Sequence, residues 1–236
     1  MSQAVKRLLL LSILPILLTA EGCGGGGGGG AASPQLTVST SEMFFGAPVG
    51  GSQPASQTVT GTVGNYSGTL YLYIVHTANG ISNISMPTLK GSSGTSSVTV
   101  HAPYNLGQGA YFDTITVSAC SDSACTNHLS GSPVVIPVTY VVGIAAVPSS
   151  LAFTSTAGVA PPSQTVRVYH YAKNTNWASS YLAASWMTYN PADGVTPSTV
   201  TVNASAMAAG SYSSSIRFGA DAGTSLIDVP ITYTVN

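Results

Sequence analysis

Aspartate and histidine are the side chains with which this chain could perform acid–base chemistry, and they are few and scattered. Hydrolytic enzymes bring two carboxylates, or a nucleophile and its base, together on loops that converge at one site. Here the candidates fall in different predicted turns and strands, so we expect solvated or turn-capping residues rather than a catalytic set. They are Asp113, Asp193, Asp221 and Asp228, with His76, His101, His128 and His170.

Metal binding requires a compact ligand set, which the sequence does not show. It has no HxxxH pair and no group of Cys and His residues of the kind that binds zinc or copper. The segment from Asn190 to Asp193 supplies too few carboxylates for calcium. We therefore expect no metal, no other cofactor and no enzymatic activity.

One segment has the composition of a sugar-binding surface. Residues 169–177 read YHYAKNTNW, and exposed aromatic faces beside amides are the usual means of sugar recognition. Trp177 is the candidate platform, with Tyr171 and Asn176 as neighbouring contacts. The alternative is an aromatic residue that covers the end of a sheet or a contact between domains.

The charge composition argues against nucleic-acid binding. Only 6% of the 236 residues are charged, and the net charge is −1. No basic stripe is present that could displace counterions from phosphates. The abundance of Thr, Val, Ser and Tyr is typical of β-proteins.

The N-terminus has the pattern of an export signal. Lys6 and Arg7 precede an apolar run from Leu8 to Leu18, and small residues follow before Cys23. The apolar run is too short for a stable transmembrane helix, which needs about 20 residues. We assign residues 1–22 to a signal peptide.

This leader resembles those of bacterial lipoproteins, in which the cysteine after the cut is lipidated. Cys23 would then be the first residue of the mature chain and its membrane anchor, with residues 23–35 forming a flexible glycine-rich tether. Ala20 and Glu21 stand where the family favours Leu and then Ala or Ser. The alternative is a secretory signal that is cut after Ala20. Gly24 in place of Asp favours the outer membrane, facing the periplasm or the cell surface.

Cys120 and Cys125 remain as a pair if Cys23 is lipidated. Their segment, CSDSAC, reads as the tip of a hairpin, where a disulfide would contribute about 2 kcal/mol. A redox role is the alternative. The CxxxxC spacing differs from the CxxC spacing of oxidoreductases, and no neighbouring cation lowers a thiol pKa, which favours the disulfide.

An internal repeat predicts the architecture. Short motifs recur in the same order: SQTV at 56–59 and 163–166, and SSVTV at 96–100 as STVTV at 198–202. Each repeat carries short alternating runs between turn residues, which predicts half-buried strands. We expect an all-β protein with two tandem immunoglobulin-like antiparallel β-sandwiches, at residues 36–142 and 143–236.

Two tyrosines occupy the position of a structural corner in this type of sandwich. Tyr111 and Tyr212 each follow a Gly-x pair and precede an alternating strand. In the immunoglobulin fold, a tyrosine at this place donates its hydroxyl hydrogen back to the backbone. We expect both residues to have this structural role.

The second repeat resembles a BACON-type domain, an immunoglobulin-like family. The resemblance rests on SSLAF at 149–153, SQTV at 163–166 and WMTYNP at 186–191, followed by Gly194. It covers residues 143–236 well and residues 36–142 loosely. The resemblance implies that Trp186 packs against the core. Family members often accompany carbohydrate-active or adhesive proteins, which implies contact with glycans.

These observations predict a lipid-anchored envelope protein of non-enzymatic type. Its two domains would act in adhesion, glycan contact or interaction with envelope proteins. One alternative is a carbohydrate-binding module that uses the aromatics around Trp177. Another is a purely structural spacer.

Overall fold

The computed structural model describes residues 14–16, 33–90, 92–181 and 184–236, and the chain is all-β. In the described ranges, the helices are two single 3-10 turns, and no helix is long and apolar enough to cross a membrane. Cys23 and the predicted tether up to Ala32 lie outside the described residues, as does the predicted signal peptide apart from residues 14–16.

Ten strands form the two sheets of the N-terminal half. One sheet has the order β2-β4-β8-β6, with β7 also paired to β8, and the other has the order β1-β5-β9-β10-β3. The strands are β1 Leu14–Ile16, β2 Gln35–Val38, β3 Met43–Ala47, β4 Gln57–Gly64, β5 Leu70–His76, β6 Ile81–Ile84, β7 Thr88–Lys90, β8 Ser93–Val100, β9 Gly109–Cys120 and β10 Val134–Val142.

Nine strands form the two sheets of the C-terminal half. One sheet has the order β11-β13-β17-β15 and the other has the order β12-β19-β18-β14-β16. All their pairings are antiparallel except β12 with β19, which is parallel. The strands are β11 Ile144–Val147, β12 Leu151–Ser155, β13 Gln164–His170, β14 Asn176–Tyr181, β15 Met187–Asn190, β16 Asp193–Val195, β17 Ser198–Ala204, β18 Gly210–Ala220 and β19 Ser225–Val235.

The two halves have the same strand order, as the sequence repeat predicts. Each has a sheet with four strands in the order of strands A, B, E and D of the immunoglobulin fold, and a second sheet that contains the strands C, F and G. They differ in β7, which pairs with β8 in the N-terminal half alone, and at one sheet edge. In the C-terminal half β16 pairs with β14, whereas in the N-terminal half β1 pairs with the equivalent strand, β5. The chain is therefore two tandem immunoglobulin-like β-sandwiches.

The core of the C-terminal sandwich lies between its two sheets. Val166 and Val200 come from one sheet, Phe218 and Ile231 come from the other, and each is 0% exposed. Because successive side chains of a strand point to opposite faces, alternate residues of β19 are buried from Val229 to Val235. Trp186 is buried in this core at 6% exposure and packs near Tyr212 and Tyr233, so its expected core position is confirmed.

The chain divides into two compact units. The first contains the residues up to Phe44, Pro54–His101 and Tyr111–Thr139, and the second contains Phe45–Gln53, Ala102–Ala110 and Tyr140–Asn236. The second unit thus includes two segments of the N-terminal half, one with the end of β3 and one with the start of β9. The domain limits 36–142 and 143–236 stay a prediction.

Tyr212 forms the predicted corner at the start of β18. Its hydroxyl donates a hydrogen bond to the backbone oxygen of Ala208 at 2.9 Å. Its ring lies 5.9 Å from that of Tyr233, between centroids. The bond therefore joins the chain before β18 to the core. Tyr111 takes the equivalent place on β9, and its bond to the backbone stays a prediction.

The corner bond can be tested by removing a single oxygen atom. We expect Tyr212→Phe to lower the free energy of unfolding by about 1 kcal/mol, because one neutral hydrogen bond is lost while the ring remains. Urea denaturation measures the change. Tyr104→Phe is the matched control, since Tyr104 is 79% exposed. Equal stability of the two variants would show that the corner bond contributes nothing.

Candidate ligand-binding cleft

Trp177 is not the exposed platform that its polar sequence neighbours suggest. It lies on β14 with 3% of its surface exposed, and its ring meets that of Phe218 edge-on, with 5.4 Å between centroids. Because residues 176–181 form a strand, the side chains alternate, and Trp177 takes an inward position. A buried tryptophan on this strand is a known feature of the immunoglobulin fold. Trp177 is therefore a core residue.

Tyr171 and Asn176 are placed differently. Asn176 is exposed at the start of β14, opposite Val195 of β16. Tyr171 is half-buried in the loop between β13 and β14, and it lines a cleft of about 460 Å³ in the second compact unit. The structure therefore does not bring Trp177, Tyr171 and Asn176 together as one aromatic surface.

The cleft combines apolar and polar side chains from four regions of this unit. Val49 and Leu226 contribute exposed apolar surface at 61% and 45% exposure. Tyr171 contributes a ring and hydroxyl, Gln108 an amide, and Asp221 a carboxylate. A volume of this size is within the range of small-molecule and side-chain pockets, about 300–1,000 Å³.

Gly143 lines the cleft at a position where a side chain would not fit. It has a φ of +70°, and a Cβ at this position would lie 2.8 Å from Val49 and 3.4 Å from Gln108. Its backbone oxygen accepts a hydrogen bond from the Tyr171 N–H at 2.8 Å. The glycine thus allows Val49, Gln108 and Tyr171 to lie around one point.

Asp221 is held by His170, and no sequence motif links the two residues. The Nε2 atom of His170 lies 2.9 Å from Oδ2 of Asp221, and the histidine side chain is fully buried. The Ser225 hydroxyl donates to the same Oδ2 at 3.0 Å. Asp221 and Ala222 both have positive φ angles, 52° and 54°, in the turn between β18 and β19. The hydrogen bond between His170 and Asp221 fixes this strained turn.

The other ring nitrogen of His170 is also occupied. Nδ1 lies 3.0 Å from the Thr175 hydroxyl oxygen, which itself donates to the Ala172 backbone oxygen at 2.8 Å. Threonine, histidine and aspartate are thus aligned as in a nucleophile–base–acid series. However, the Thr175 hydroxyl donates its hydrogen to the Ala172 backbone oxygen and not to His170, so the histidine does not act as its base. The alignment therefore serves to position Asp221.

The remaining predicted acids are engaged in local structure. Asp113 is buried at 4% exposure and caps the turn between β5 and β6, which agrees with the turn-capping alternative and not with the solvated one. Its two oxygens accept hydrogen bonds from the Thr77 hydroxyl and from the backbone N–H groups of residues 79, 80 and 81. Asp228 forms two hydrogen bonds with Arg217, at 2.7 and 2.8 Å. Asp193 is exposed on β16.

Cys120 and Cys125 form the predicted disulfide, after the end of β9. His128 lies near them, with its Nδ1 atom 3.8 Å from Sγ of Cys120. The three groups are close enough to share a metal ion. However, a disulfide offers no thiolate to a metal, so the arrangement in this oxidised form is structural.

Asp122 organises the loop that the disulfide closes. It accepts hydrogen bonds from the backbone N–H groups of Ala124 and Thr126 at 3.0 Å and of Asn127 at 2.6 Å. Together these bonds lower the pKa of Asp122 to about 2, and the bond from the Thr126 N–H makes the largest contribution to this shift. Tyr73 donates to the Ser123 backbone oxygen and fastens the loop to β5.

No protein-family model matches this sequence, and no curated protein matches it either. Solved structures with similar architecture include a Bacteroides ovatus GH5 xyloglucanase in complex with a XXXG heptasaccharide, at 13% identity and a TM-score of 0.32 over 39% of this chain and 19% of that chain. The D00-D0 domain of intimin gives 11% identity and a TM-score of 0.32, over 85% of this chain and 99% of that chain.

Drosophila N-cadherin EC1-4 gives 12% identity and a TM-score of 0.33, over 86% of this chain and 51% of that chain. TM-scores this low carry no argument about function. The resemblance to BACON-type domains stays a prediction.

The buried position of Trp177 predicts a stability effect. We expect Trp177→Ala to lower the free energy of unfolding by about 3–5 kcal/mol, because it removes a large side chain from the core. Asn176→Ala, at the exposed neighbouring position, should change it by less than about 0.5 kcal/mol. Chemical denaturation distinguishes the two. An unchanged midpoint for Trp177→Ala would contradict the core assignment.

The hydrogen bonds to Asp122 predict a pH effect. A folded-state pKa lowered from 3.8 to about 2 adds stability above the unfolded pKa, and this contribution is lost as the pH falls through the folded pKa. Asp122→Asn should therefore lower the thermal midpoint at pH 7, and the difference from the unmodified chain should shrink towards pH 2. Thermal denaturation at pH 7, 4 and 2 measures it. A difference that stays constant with pH would contradict this role for the carboxylate.

Proposed function

We propose that this chain is an exported, lipid-anchored envelope protein of non-enzymatic type. Its two immunoglobulin-like sandwiches are presented on a glycine-rich tether for adhesion, glycan contact or protein interaction. The observation that carries this proposal is the tandem of sandwiches behind an export-type leader that ends at Cys23. The anchor and the outer-membrane location are part of the proposal.

The state of the aspartates supports a non-enzymatic role. Asp113 and Asp228 use both carboxylate oxygens in local hydrogen bonds. Of the described residues that line the cleft, Asp221 is the one carboxylate. Glycoside hydrolysis needs two carboxyl groups on opposite sides of the bond to be cut, so this cleft favours binding over hydrolysis.

The alternative of a carbohydrate-binding module centred on Trp177 loses its platform, because the indole is in the core. Tyr171 and Asn176 remain accessible for contact with glycans. The structural spacer stays the other candidate, and it predicts that the cleft has no ligand. Binding of the purified chain to a glycan array separates glycan contact from the other roles.

The lipid anchor is tested by Cys23→Ser. We expect the variant to leave the membrane fraction, because the thiol that receives the lipid is absent. Membrane flotation followed by mass analysis of the N-terminal peptide measures both location and acylation. Ser33→Ala, in the same predicted tether, should leave both unchanged. Undiminished membrane association of Cys23→Ser would refute the anchor.

A further inference from the structure

In the cleft around Tyr171 and Asp221, the side-chain donors of Gln108, Thr224 and Ser225 are engaged, and two side-chain acceptors are free; among the described lining residues, the Tyr171 hydroxyl is the one side-chain donor left. The Gln108 amide nitrogen donates to the backbone oxygens of Ile144 and Leu226, at 2.9 and 2.8 Å. The Thr224 and Ser225 hydroxyls both donate to Asp221. Within the described part of the chain, Oε1 of Gln108 and Oδ1 of Asp221 accept no hydrogen bond. A ligand that fits this cleft must therefore supply donors.

Asp221 is unlike the aspartates that organise the other loops. Asp113 accepts bonds on both oxygens from the turn of residues 77–81, and Asp122 accepts them on both oxygens from its own loop. Asp228 uses both oxygens on Arg217. In Asp221 both side-chain bonds, from His170 and Ser225, meet at Oδ2. The carboxylate is thus oriented by one oxygen and retains the other for a partner.

The apolar part of the cleft suits a side chain with a hydrocarbon stem. Val49 and Leu226 are exposed, Pro48 lies beside them, and Tyr171 adds an aromatic ring. Lysine and arginine side chains lay their methylene groups along such surfaces while the charged end reaches a polar partner. An aromatic ring next to the charge adds a cation–π contribution.

We propose that this cleft receives a lysine or arginine side chain of a protein partner, with Asp221 as its counter-ion. The inference rests on the protein-interaction branch of the proposed function. Asp221 and Gln108 supply acceptors to the cation, and Val49, Leu226 and Tyr171 contact its stem. His170 is a positioning residue, because it acts on the partner only through the orientation of Asp221.

A neutral sugar fits the same acceptors less well. Each sugar hydroxyl brings both a donor and an acceptor, and among the described lining residues only the Tyr171 hydroxyl remains as a side-chain donor for the sugar's acceptors. A cation brings donors only, and its bond to a carboxylate is charge-assisted, which makes it roughly twice as strong as a neutral one. Charge complementarity therefore favours the basic side chain.

The test uses the full-length exported chain, purified in detergent, and two small probes. One probe is Nα-acetyl-lysine methylamide, and the other is the same molecule with its side-chain amine acetylated. We expect the charged probe to shift the backbone amide resonances of Tyr171, Thr224 and Leu226 saturably, with a dissociation constant in roughly the millimolar range. The acetylated probe should bind about tenfold more weakly.

Asp221→Asn is the informative variant, because it removes the charge and keeps the shape. Asn also tolerates the positive φ of this position, so the turn should be retained. We expect it to weaken binding of the charged probe about tenfold. Asp228→Asn is the matched control, since it removes one carboxylate of the same unit outside the cleft. It should change the affinity less than about twofold.

Leu226→Lys gives a second, independent readout. Leu226 is 45% exposed, so a lysine there should not disturb folding, and its own ammonium group should occupy the site and exclude the probe. Equal binding of the two probes, or equal weakening by Asp221→Asn and Asp228→Asn, would overturn the proposal. Saturable binding of cellotetraose at the same resonances, without binding of the charged probe, would assign the cleft to a sugar instead. Because none of these measurements depends on Cys23, a failed cleft and a failed anchor are distinguishable.

Discussion

The burial of one face of most strands between two sheets is the constraint on which this structure depends. Only 6% of the residues are charged, so ion pairs can contribute little to its stability. Val166, Val200, Phe218 and Ile231 are instead fully buried, and burial of such a side chain contributes about 1.5–3 kcal/mol. Inward and outward positions alternate along each strand. The residues that the core requires therefore determine which side chains are left to form the surface.

The same constraint places the candidate site at the ends of strands. His170 is the last residue of β13, and Asp221 follows β18 directly. In an immunoglobulin-like sandwich the loops after these two strands lie at the same end, which is also where variable domains bind their ligands. The strand order therefore brings together two residues that are 51 positions apart. A buried histidine needs partners for both ring nitrogens, and Thr175 and Asp221 meet this need.

The fold could be predicted from the sequence because its signals are repeated. Alternating runs, turn residues and matching motifs in both halves predict the sandwich and the strand order that both halves share. The tyrosine corner and the disulfide were also predictable, since Tyr212 and the pair Cys120 and Cys125 occupy positions with known local geometry. Each of these predictions depends on residues that are close along the chain.

The site could be predicted only in part, because its contacts are distant along the chain. Tyr171 was identified by its aromatic neighbours, but its partners Gln108 and Asp221 carry no motif. Trp177 was misplaced because polar neighbours outweighed the alternation of β14, although a strand at this point of the repeat predicts an inward tryptophan. For Asp113 the sequence predicts a solvated or turn-capping residue without naming the turn, because its partners, the backbone N–H groups of residues 79–81, are distant along the chain.

The partial exposure of Asp221 determines how strongly the cleft can bind. The side chain is 32% exposed, so water can hydrate Oδ1 when no ligand is present, and the free acceptor costs the folded state little. A partner must displace this water. The free energy gained is therefore only the difference between the interaction of Oδ1 with the partner and its interaction with water. A single contact of this kind is therefore weak. If the proposed lipid anchor holds many copies on one membrane, the effective concentration of neighbouring sites would supply the affinity that one cleft lacks.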